Sequence, residues 1–227
     1  MRHESKFVFP LHAYADFESC LRASRFFFSE IYHERRINNI YLDTQEYKNL
    51  FENLHGVQNR EKHRIRWYGG EKNIRKPILE YKIKHGEMGY KEYYPLPAFL
   101  FDTTFNYDDY LEQIKFEPEM KIPQYQLMLD DIHTEVPTLF NTYLRRYFLS
   151  ADGRFRLTID HGLAYQTINR WFAGLVGFSE DKMVVELKYE NNDVHDAGKI
   201  MQELGLRLAR NSKYVIGMQG LYFNLFE

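Results

Sequence analysis

The chain has 227 residues and carries 30 Lys and Arg against 32 Asp and Glu, a formal net charge of −2. This balance excludes a polycation that coats nucleic acid over its whole surface, and the length suits one domain spanning residues 1–227. The one cysteine, Cys20, excludes an intrachain disulfide and favours a reducing compartment. No apolar run approaches the roughly 20 residues of a membrane span, and the first residues lack a signal-peptide core. We therefore expect a cytoplasmic protein without a transmembrane segment of its own.

The first part of the chain alternates predicted strands and short helices. The elements are a strand at residues 2–9, a helix at residues 14–32, a strand at residues 38–44 and a short helix at residues 47–54 that Gly56 terminates. A basic strand at residues 62–68 and another strand at residues 78–84 follow, joined around a turn at Gly69 and Gly70. These two strands predict a β-hairpin with a longer loop.

The rest of the chain continues this mixture. A further hairpin returns through Gly86 and Gly89, and short helices are predicted at residues 108–115 and 124–132. Strands at residues 143–149 and 154–160 form a hairpin about Asp152-Gly153, which is a strong turn signal. A strand at residues 183–189 and a helix at residues 195–204, stopped by Gly205, complete the prediction. The pattern indicates an α+β fold of mainly antiparallel strands with intercalated helices.

The strand at residues 62–68 carries charge on one face only. A period of two puts Lys62, Arg64 and Arg66 on one side and Ile65 and Trp67 on the other. Three cations in a row repel one another unless an anion neutralises them. The same asymmetry recurs in three further segments, residues 79–84, 154–160 and 185–190. We expect the four charged faces to look at each other in a closed antiparallel β-barrel with a charged lumen, flanked by helices.

A phosphate-rich ligand explains this pattern, although a blander explanation competes with it. For any single strand, a solvated face of salt-bridged charges is the alternative. A lumen rich in Lys and Arg is costly unless a polyanion occupies it, and Glu80 and Glu186 among the cations suit a magnesium or manganese ion. The nine histidines show no metal-ligand spacing, so His63 is expected at the surface or on a strand exterior and receives no role. The aromatic residues are expected to pack beneath helices, so no nucleic-acid partner is predicted.

A set of short motifs in chain order carries a family resemblance. The motifs are Lys62-x-Arg64-x-Arg66-x-Tyr68, Glu80-x-Lys82-x-Lys84, Tyr143-x-Arg145, Arg156-x-x-x-Asp160, Glu186-x-Lys188, Ser212-Lys213-Tyr214, Arg2-x-Glu4-x-Lys6 and Tyr41-Leu42-Asp43-Thr44. Their number, order and spacing resemble the VTC domain, the polyphosphate polymerase branch of the triphosphate tunnel metalloenzymes in the CYTH-like superfamily. Residues 85 to 140 carry no match.

The resemblance implies a fold, a reaction and a set of site residues. The fold would be an eight-stranded antiparallel β-barrel that forms a tunnel, and the reaction would move the γ-phosphoryl group of ATP onto a growing polyphosphate chain with Mn²⁺ or Mg²⁺ as cofactor. Catalytic contacts to phosphate are implied for Arg64, Arg66, Lys82, Arg145, Arg156 and Lys213. Further phosphate binding is implied for Lys6, Lys62, Lys84 and Lys188. Metal ligation is implied for Glu186, Glu80 and Glu4.

The chain departs from the family pattern in two ways. Hydrolytic members of the superfamily open with Glu-x-Glu-x-Lys, and here Arg2 stands at the first Glu, which favours the polymerase branch. An inorganic or nucleoside triphosphatase and a non-catalytic module that binds polyphosphate or inositol phosphates stay open as alternatives. We also expect none of the additional regulatory or membrane domains that eukaryotic polymerase members carry. Translocation of the product would therefore need a membrane partner, and the sequence leaves the oligomeric state open.

Overall fold

The computed structural model describes residues 2–70, 72–86, 88–114, 130–168 and 173–222, which form an α+β fold. Its helices include α1 (Tyr14–Ala23), α2 (Lys48–Leu54), α3 (Tyr107–Leu111), α4 (Val194–Glu203) and α5 (Lys213–Leu221). Its strands are β1 (Arg2–Pro10), β2 (Ser29–Asp43), β3 (Arg60–Tyr68), β4 (Asn73–Ile74), β5 (Ile78–His85), β6 (Met88–Pro95), β7 (Phe99–Leu100), β8 (Val136–Leu149), β9 (Arg156–Ile168), β10 (Ala173–Ser179) and β11 (Lys182–Glu190). No helix among these described residues has the length and apolar character that crossing a membrane requires.

Nine of the strands form one sheet, and this sheet is open. The order is β1-β11-β9-β8-β2-β3-β5-β6, with β10 paired to β9, and β4 pairs with β7 in a separate two-stranded sheet. The expected closed eight-stranded barrel is wrong, because no sheet closes on itself within the residues that the structure describes. Alternation of charged and apolar residues determines only which face of a strand is buried. An open sheet with one buried face satisfies that pattern as well as a barrel does.

The two strands at the ends of this order are protected in different ways. Along β1, Phe7 forms an isolated bridge with Leu208, and the backbone N–H of Ala209 donates to the carbonyl of Lys6 at 2.9 Å. Strand β6 instead carries Lys91 and ends at Pro95. Charge and proline on an edge strand both discourage pairing with a strand of another chain.

The chain divides into two compact units. The first unit comprises Met1–Ile37, Thr142–Ala164 and Ser179–Ser212, and the second comprises Asn38–Asn141, Tyr165–Phe178 and Lys213–Glu227. The long strands β2, β8 and β9 contribute residues to both units. Each unit has its own cluster of buried apolar side chains.

The core of the first unit lies between the apolar face of its strands and two helices. Phe7, Leu157 and Val185 come from β1, β9 and β11, and each is fully buried. In α1, Phe17 and Leu21 lie four residues apart, which places them on the same face of the helix, and both are buried in this core. Burial of each such side chain contributes about 1.5–3 kcal/mol, and this stabilisation keeps the apolar face of these strands in the core.

The core of the second unit is built around Trp67 of β3. Its ring centroid lies 5.5 Å from that of Phe99, 5.1 Å from that of Phe101 and 5.9 Å from that of Phe140. Ile65 and Trp67 are both buried, as the alternation of residues 62–68 predicts. Trp67 therefore packs in the core, whereas Tyr68, the next residue of the strand, is 49% exposed.

Several predicted elements differ from the structure for identifiable reasons. The helix predicted at residues 14–32 ends at Ala23, and β2 begins at Ser29. Phe28 lies between these two elements and is buried in the same core as Phe17. The helical spacing of Phe17 and Phe28 therefore does not come from one helix. Strand β8 begins at Val136 and includes Pro137 near its start, where a missing N–H is tolerated. The sequence does not predict β10 or α5. The helix predicted at residues 124–132 lies mainly outside the described residues. Residues 130–134, which the structure describes, are helical.

Candidate functional site

Strands β3, β5 and β6 of the second unit present a strongly cationic face. The register places Lys62 opposite Lys82 and Lys82 opposite Lys91, so three lysines lie in one row across three strands. In β3, the next residue on this face is Arg64, which lies opposite Glu80. Like charges on directly opposite positions destabilise a sheet, so this row is typical of a face that meets an anion. The β3–β5–β6 face comprises Lys62, Arg64, Arg66, Glu80, Lys82 and Lys91.

The cations of this face gather around Glu80. The Oε1 atom of Glu80 lies 2.5 Å from Arg64 Nη2 and 2.9 Å from Lys91 Nζ, and Oε2 lies 3.1 Å from Arg66 Nη1. Burial alone would raise the pKa of this carboxyl, but the charges of Arg64, Arg66 and Lys91 hold the pKa well below its usual range. Glu80 is therefore ionised at neutral pH and holds three cations side by side.

Polar residues of β2 orient the two arginines. Arg66 donates from Nε to Asn39 Oδ1 at 2.9 Å, and Asn39 donates from Nδ2 to Asn141 Oδ1 at 3.3 Å. Arg64 donates from Nη1 to the Tyr41 hydroxyl at 3.4 Å. Since both guanidinium groups are already ordered, binding of an anion costs less side-chain entropy than it would with mobile arginines.

Lys91 belongs to this face, although no motif of the sequence pointed to it. Burial lowers the pKa of the Lys91 ammonium to about 8, against the opposite effect of Glu80. This lysine is consequently charged at neutral pH and loses its charge in mildly alkaline solution. The available signal was the hairpin through Gly86 and Gly89, whose returning strand places Lys91 opposite Lys82.

The first unit carries a second polar face, on β1, β11 and β9. Lys6 Nζ lies 3.5 Å from Glu4 Oε1 and 3.4 Å from Glu186 Oε1. Lys188 Nζ lies 3.7 Å from Glu4 Oε2 and 3.6 Å from Glu186 Oε2. Two ammonium groups thus alternate with two carboxylates in a ring. The β1–β11–β9 face comprises this ring and its neighbours: Glu4, Lys6, Arg145, Arg156, Thr158, Asp160, Glu186 and Lys188.

Arg145 of β8 extends this ring. Its Nε and Nη2 atoms donate to the two carboxylate oxygens of Asp160 at 2.5 and 2.6 Å, and Nη2 lies 3.5 Å from Glu186 Oε2. Burial opposes the charge of this guanidinium, but Asp160 and its neighbours raise its pKa well above the ordinary value. A phosphate that binds Arg145 must therefore compete with Asp160. Arg146 lies on the opposite face of β8 and pairs with Glu18 and Glu30, as alternation predicts.

A buried hydroxyl group lies beside Glu186. Thr158 is opposite Glu186 in the register and is 8% exposed, and its Oγ1 has no hydrogen-bond partner within the described part of the chain. Arg156, two residues earlier in β9, is opposite Lys188 and exposed. A buried hydroxyl without a partner costs free energy, so a water or an anion bound next to Glu186 would satisfy it.

Glu4 and Glu186 have the chemistry that a hard metal ion requires. Carboxylate oxygens are the ligands that Mg²⁺ and Mn²⁺ prefer, and Lys6 and Lys188 already place positive charge between these two carboxylates. A divalent cation bound there would be stabilised by the negative charges of the same two carboxylates. Glu80, the other predicted ligand, belongs to the β3–β5–β6 face, where three cations surround it.

A different group of ligand atoms lies on the other side of β3. Glu61, His63 and Asp131 each offer one ligand atom, and these atoms lie within 4.8 Å of one another. Burial alone would lower the pKa of the His63 imidazole, but its hydrogen bonds to Glu135 and Glu61 raise the pKa to about 9. His63 lies on the same face of β3 as Ile65 and Trp67, as the alternation predicts, but the expectation of a surface position is wrong, because its side chain is 4% exposed. Asp131 and Glu135 lie so far from His63 in the sequence that no motif of fixed spacing could have indicated this group.

Two of the motifs position helices. The Asp43 carboxylate accepts hydrogen bonds from the backbone N–H groups of Asn49 at 2.8 Å and Leu50 at 2.9 Å, and from the Tyr214 hydroxyl at 2.6 Å. These bonds join the start of α2 to α5.

Lys213, an implied phosphate ligand, is buried at the first residue of α5. Lys84, another implied ligand, is half-buried near the end of β5, opposite Gly89.

Comparison with known proteins relates the chain to one family and one fold. The VTC domain family matches residues 1–222. The solved structure of a candidate adenylate cyclase from Bacillus halodurans has a TM-score of 0.57 at 13% identity, covering 96% of each chain. One from Vibrio parahaemolyticus has a TM-score of 0.51 at 12% identity, covering 95% of this chain and 97% of that chain.

A third solved structure resembles the chain to a similar degree. It is a candidate adenylyl cyclase from Hippeastrum, described with a dominant triphosphatase activity; its TM-score is 0.51 at 15% identity, covering 97% of this chain and 96% of that chain. At such identities the likeness shows the fold alone. No protein with a curated description matches this chain at the level of sequence.

Proposed function

Because this chain belongs to the VTC domain family, we propose that it is a metal-dependent polyphosphate polymerase that transfers the γ-phosphoryl group of ATP to a growing polyphosphate chain. The observation that carries the proposal is the row of Lys62, Lys82 and Lys91, in which like charges lie directly opposite one another. A polyphosphate chain is a linear polyanion, and its charges would neutralise such a row.

In the proposed reaction, a terminal oxygen of polyphosphate attacks the γ-phosphorus of ATP in line. The bond from the γ-phosphorus to its bridging oxygen breaks, and ADP leaves with that oxygen. Arg64 and Arg66 would present planar guanidinium groups to the phosphate oxygens, and the lysines would reduce the repulsion between the two anions. Since the acceptor is already an anion, no general base is needed.

The β1–β11–β9 face would hold the metal ion. Glu186 and Glu4 would be its ligands on this chain, and Mn²⁺ or Mg²⁺, when bound, supplies a hard cation that neutralises phosphate oxygens. Lys6 and Lys188 would then turn from these carboxylates towards phosphate. An oxygen of that phosphate would give the Thr158 hydroxyl the hydrogen-bond partner that it lacks among the described residues.

A product assay tests this proposal. Purified protein incubated with ATP and Mn²⁺ should yield ADP and long-chain polyphosphate, measured by ³¹P NMR and by gel electrophoresis of the polymer. Lys82→Ala should reduce polymer formation, whereas Lys199→Ala, on the surface of α4 and paired with Asp196, should not. Release of orthophosphate without any polymer would reject the polymerase assignment. If the protein bound polyphosphate but turned over no ATP with any metal ion, it would be a non-catalytic binding module.

A triphosphatase is the second candidate. The Hippeastrum protein, which shares the fold, is described with a dominant triphosphatase activity, and the β1–β11–β9 face carries three carboxylates. Each of these carboxylates contacts a Lys or Arg, which makes it a weak base towards water. Tripolyphosphate supplied as the sole substrate separates the candidates, because a hydrolase would release orthophosphate from it rapidly. The side chain of Arg2, at the position of the hydrolases' first Glu, lies outside the described residues.

A further inference from the structure

The side of β3 that faces away from Arg64 and Arg66 carries an imidazole surrounded by carboxylates. His63 is buried, and its ring centroid lies 3.9 Å from that of Tyr81. Its Nε2 atom lies 3.3 Å from Glu61 Oε2, and the ligand atoms of Glu61, His63 and Asp131 all lie within 4.8 Å of one another. Glu61 and Asp131 are half-buried, so solvent reaches the group from their side.

The other ring nitrogen of His63 is held by Glu135. The Nδ1 atom lies 2.8 Å from Glu135 Oε1, and the same oxygen accepts a hydrogen bond from Asn49 Nδ2 at 2.9 Å. A metal-binding histidine commonly donates its second N–H to a carboxylate, which fixes the ring and leaves the other nitrogen directed at the metal. Glu135 has this relation to His63, and Nε2 is directed towards Glu61.

Glu135 brings further negative charge to the buried side of the His63 ring. Glu135 is 4% exposed, and its Oε2 has no hydrogen-bond partner within the described part of the chain. Glu61, Asp131 and Glu135 form no ion pair with a Lys or Arg among the residues described. Three carboxylates thus surround one imidazole, which offers at most one positive charge to compensate them.

We propose that Glu61, His63 and Asp131 bind a divalent transition-metal ion, with Glu135 orienting His63 from the opposite ring nitrogen. One imidazole nitrogen with carboxylate oxygens suits ions such as Zn²⁺, Mn²⁺ or Co²⁺ better than Mg²⁺, which prefers oxygen ligands alone. When the ion binds, the proton between Nε2 and Glu61 is released to solvent. The site is separate from the carboxylates Glu4 and Glu186.

The proposed ion would act on the strand that carries Arg64 and Arg66. Glu61 and His63 belong to β3, whereas Asp131 belongs to the helical residues 130–134. A bound ion would therefore fix the position of β3 by joining it to a segment about 70 residues later in the chain. Its role is positional, since none of its ligands belongs to the β3–β5–β6 face.

Titration of the full-length, chelator-treated protein with Co²⁺ alone tests the proposal. Visible absorption should show saturable d–d bands, and Asp131→Asn should weaken Co²⁺ binding at this site at least tenfold because it removes one ligand. Glu135→Gln should weaken it about 10–100-fold, as removal of an outer hydrogen-bond partner does. Asp130→Asn, an exposed neighbour, is the matched control and should change the affinity less than twofold.

Glu186→Gln separates this proposal from the metal site of the proposed function. Glu186→Gln should leave unchanged the Co²⁺ bands that Asp131→Asn weakens. Circular dichroism establishes that each variant is folded, and folding of Asp131→Asn is expected because its side chain is half-buried on the surface. Absence of Co²⁺ bands in the parent protein, or bands that persist with unchanged affinity in folded Asp131→Asn, would overturn the proposal. Loss of the bands only in Glu186→Gln would also overturn it.

Discussion

The two polar faces of this protein share a strand architecture and differ in their charge. The β3–β5–β6 face carries five cations and one carboxylate, Glu80, which contacts three of them, whereas the β1–β11–β9 face sets four cations against three carboxylates. The first face has a large excess of positive charge and suits an anion. The second is nearly balanced, so it can exchange a lysine for a metal ion without a large electrostatic cost.

The difference also predicts how each face responds to the loss of its central carboxylate. Glu80 contacts Arg64, Arg66 and Lys91 together, so its removal takes away a negative charge that all three share. Around Glu186, by contrast, Lys6 and Lys188 also contact Glu4, and Arg145 also contacts Asp160. The four predictions below test this contrast.

Glu80→Gln should have the largest effect on stability. Breaking a buried charge network by removing one partner costs about 3–5 kcal/mol of the free energy of unfolding. Tripolyphosphate should restore part of this loss, since it neutralises the same cations. Thermal and urea unfolding with and without tripolyphosphate measure both effects. A variant as stable as the parent protein would show that the cations of this face do not depend on Glu80.

Arg66→Ala should weaken tripolyphosphate binding about 10–100-fold, because it removes a charge-assisted contact of roughly 1.5–3 kcal/mol. The free protein should remain folded, since Glu80 keeps Arg64 and Lys91 as partners. Isothermal titration calorimetry measures the affinity.

Trp67→Ala is the matched control for Arg66→Ala on the opposite face of the same strand. It should cost about 3–5 kcal/mol of stability and leave tripolyphosphate binding of the folded protein unchanged. If Arg66→Ala unfolds the protein, or binds tripolyphosphate as the parent does, the assignment of this face to phosphate fails.

Glu186→Gln should weaken Mn²⁺ binding at the β1–β11–β9 face at least tenfold while costing much less stability than Glu80→Gln. The reason is that Lys6, Lys188 and Arg145 keep Glu4 or Asp160 as partners. Manganese EPR titration measures the first effect and urea unfolding the second. Equal destabilisation by Glu80→Gln and Glu186→Gln would contradict the contrast between the two faces.

The smallest expected effect concerns pH. Burial lowers the pKa of Lys91 to about 8, so its charge is present at pH 7 and is lost as the pH rises through 8. Tripolyphosphate affinity should therefore fall a few-fold between pH 7 and 9, and calorimetry at several pH values measures this. Lys91→Arg, which stays charged, should abolish the fall. A pH profile that Lys91→Arg leaves unaltered would exclude Lys91 as its source.

The sequence determines the faces of single strands. Ile65 and Trp67 are buried and Arg64 and Arg66 contact Glu80, as the alternation of residues 62–68 predicts, because the period of two follows from the geometry of an extended backbone alone. The turns at Gly153 and Gly205 were also predictable, since a positive φ angle, here 74° and 61°, favours glycine.

Only the tertiary structure decides which strands become neighbours. The sheet is open rather than closed, Lys91 joins the cations of Lys62 and Lys82, and His63 meets a glutamate 72 residues away in the chain. Alternation is the same in an open sheet and in a barrel, so it carries no information about closure. Contacts between distant residues depend on the packing of the whole chain, and no spacing within a single segment records them.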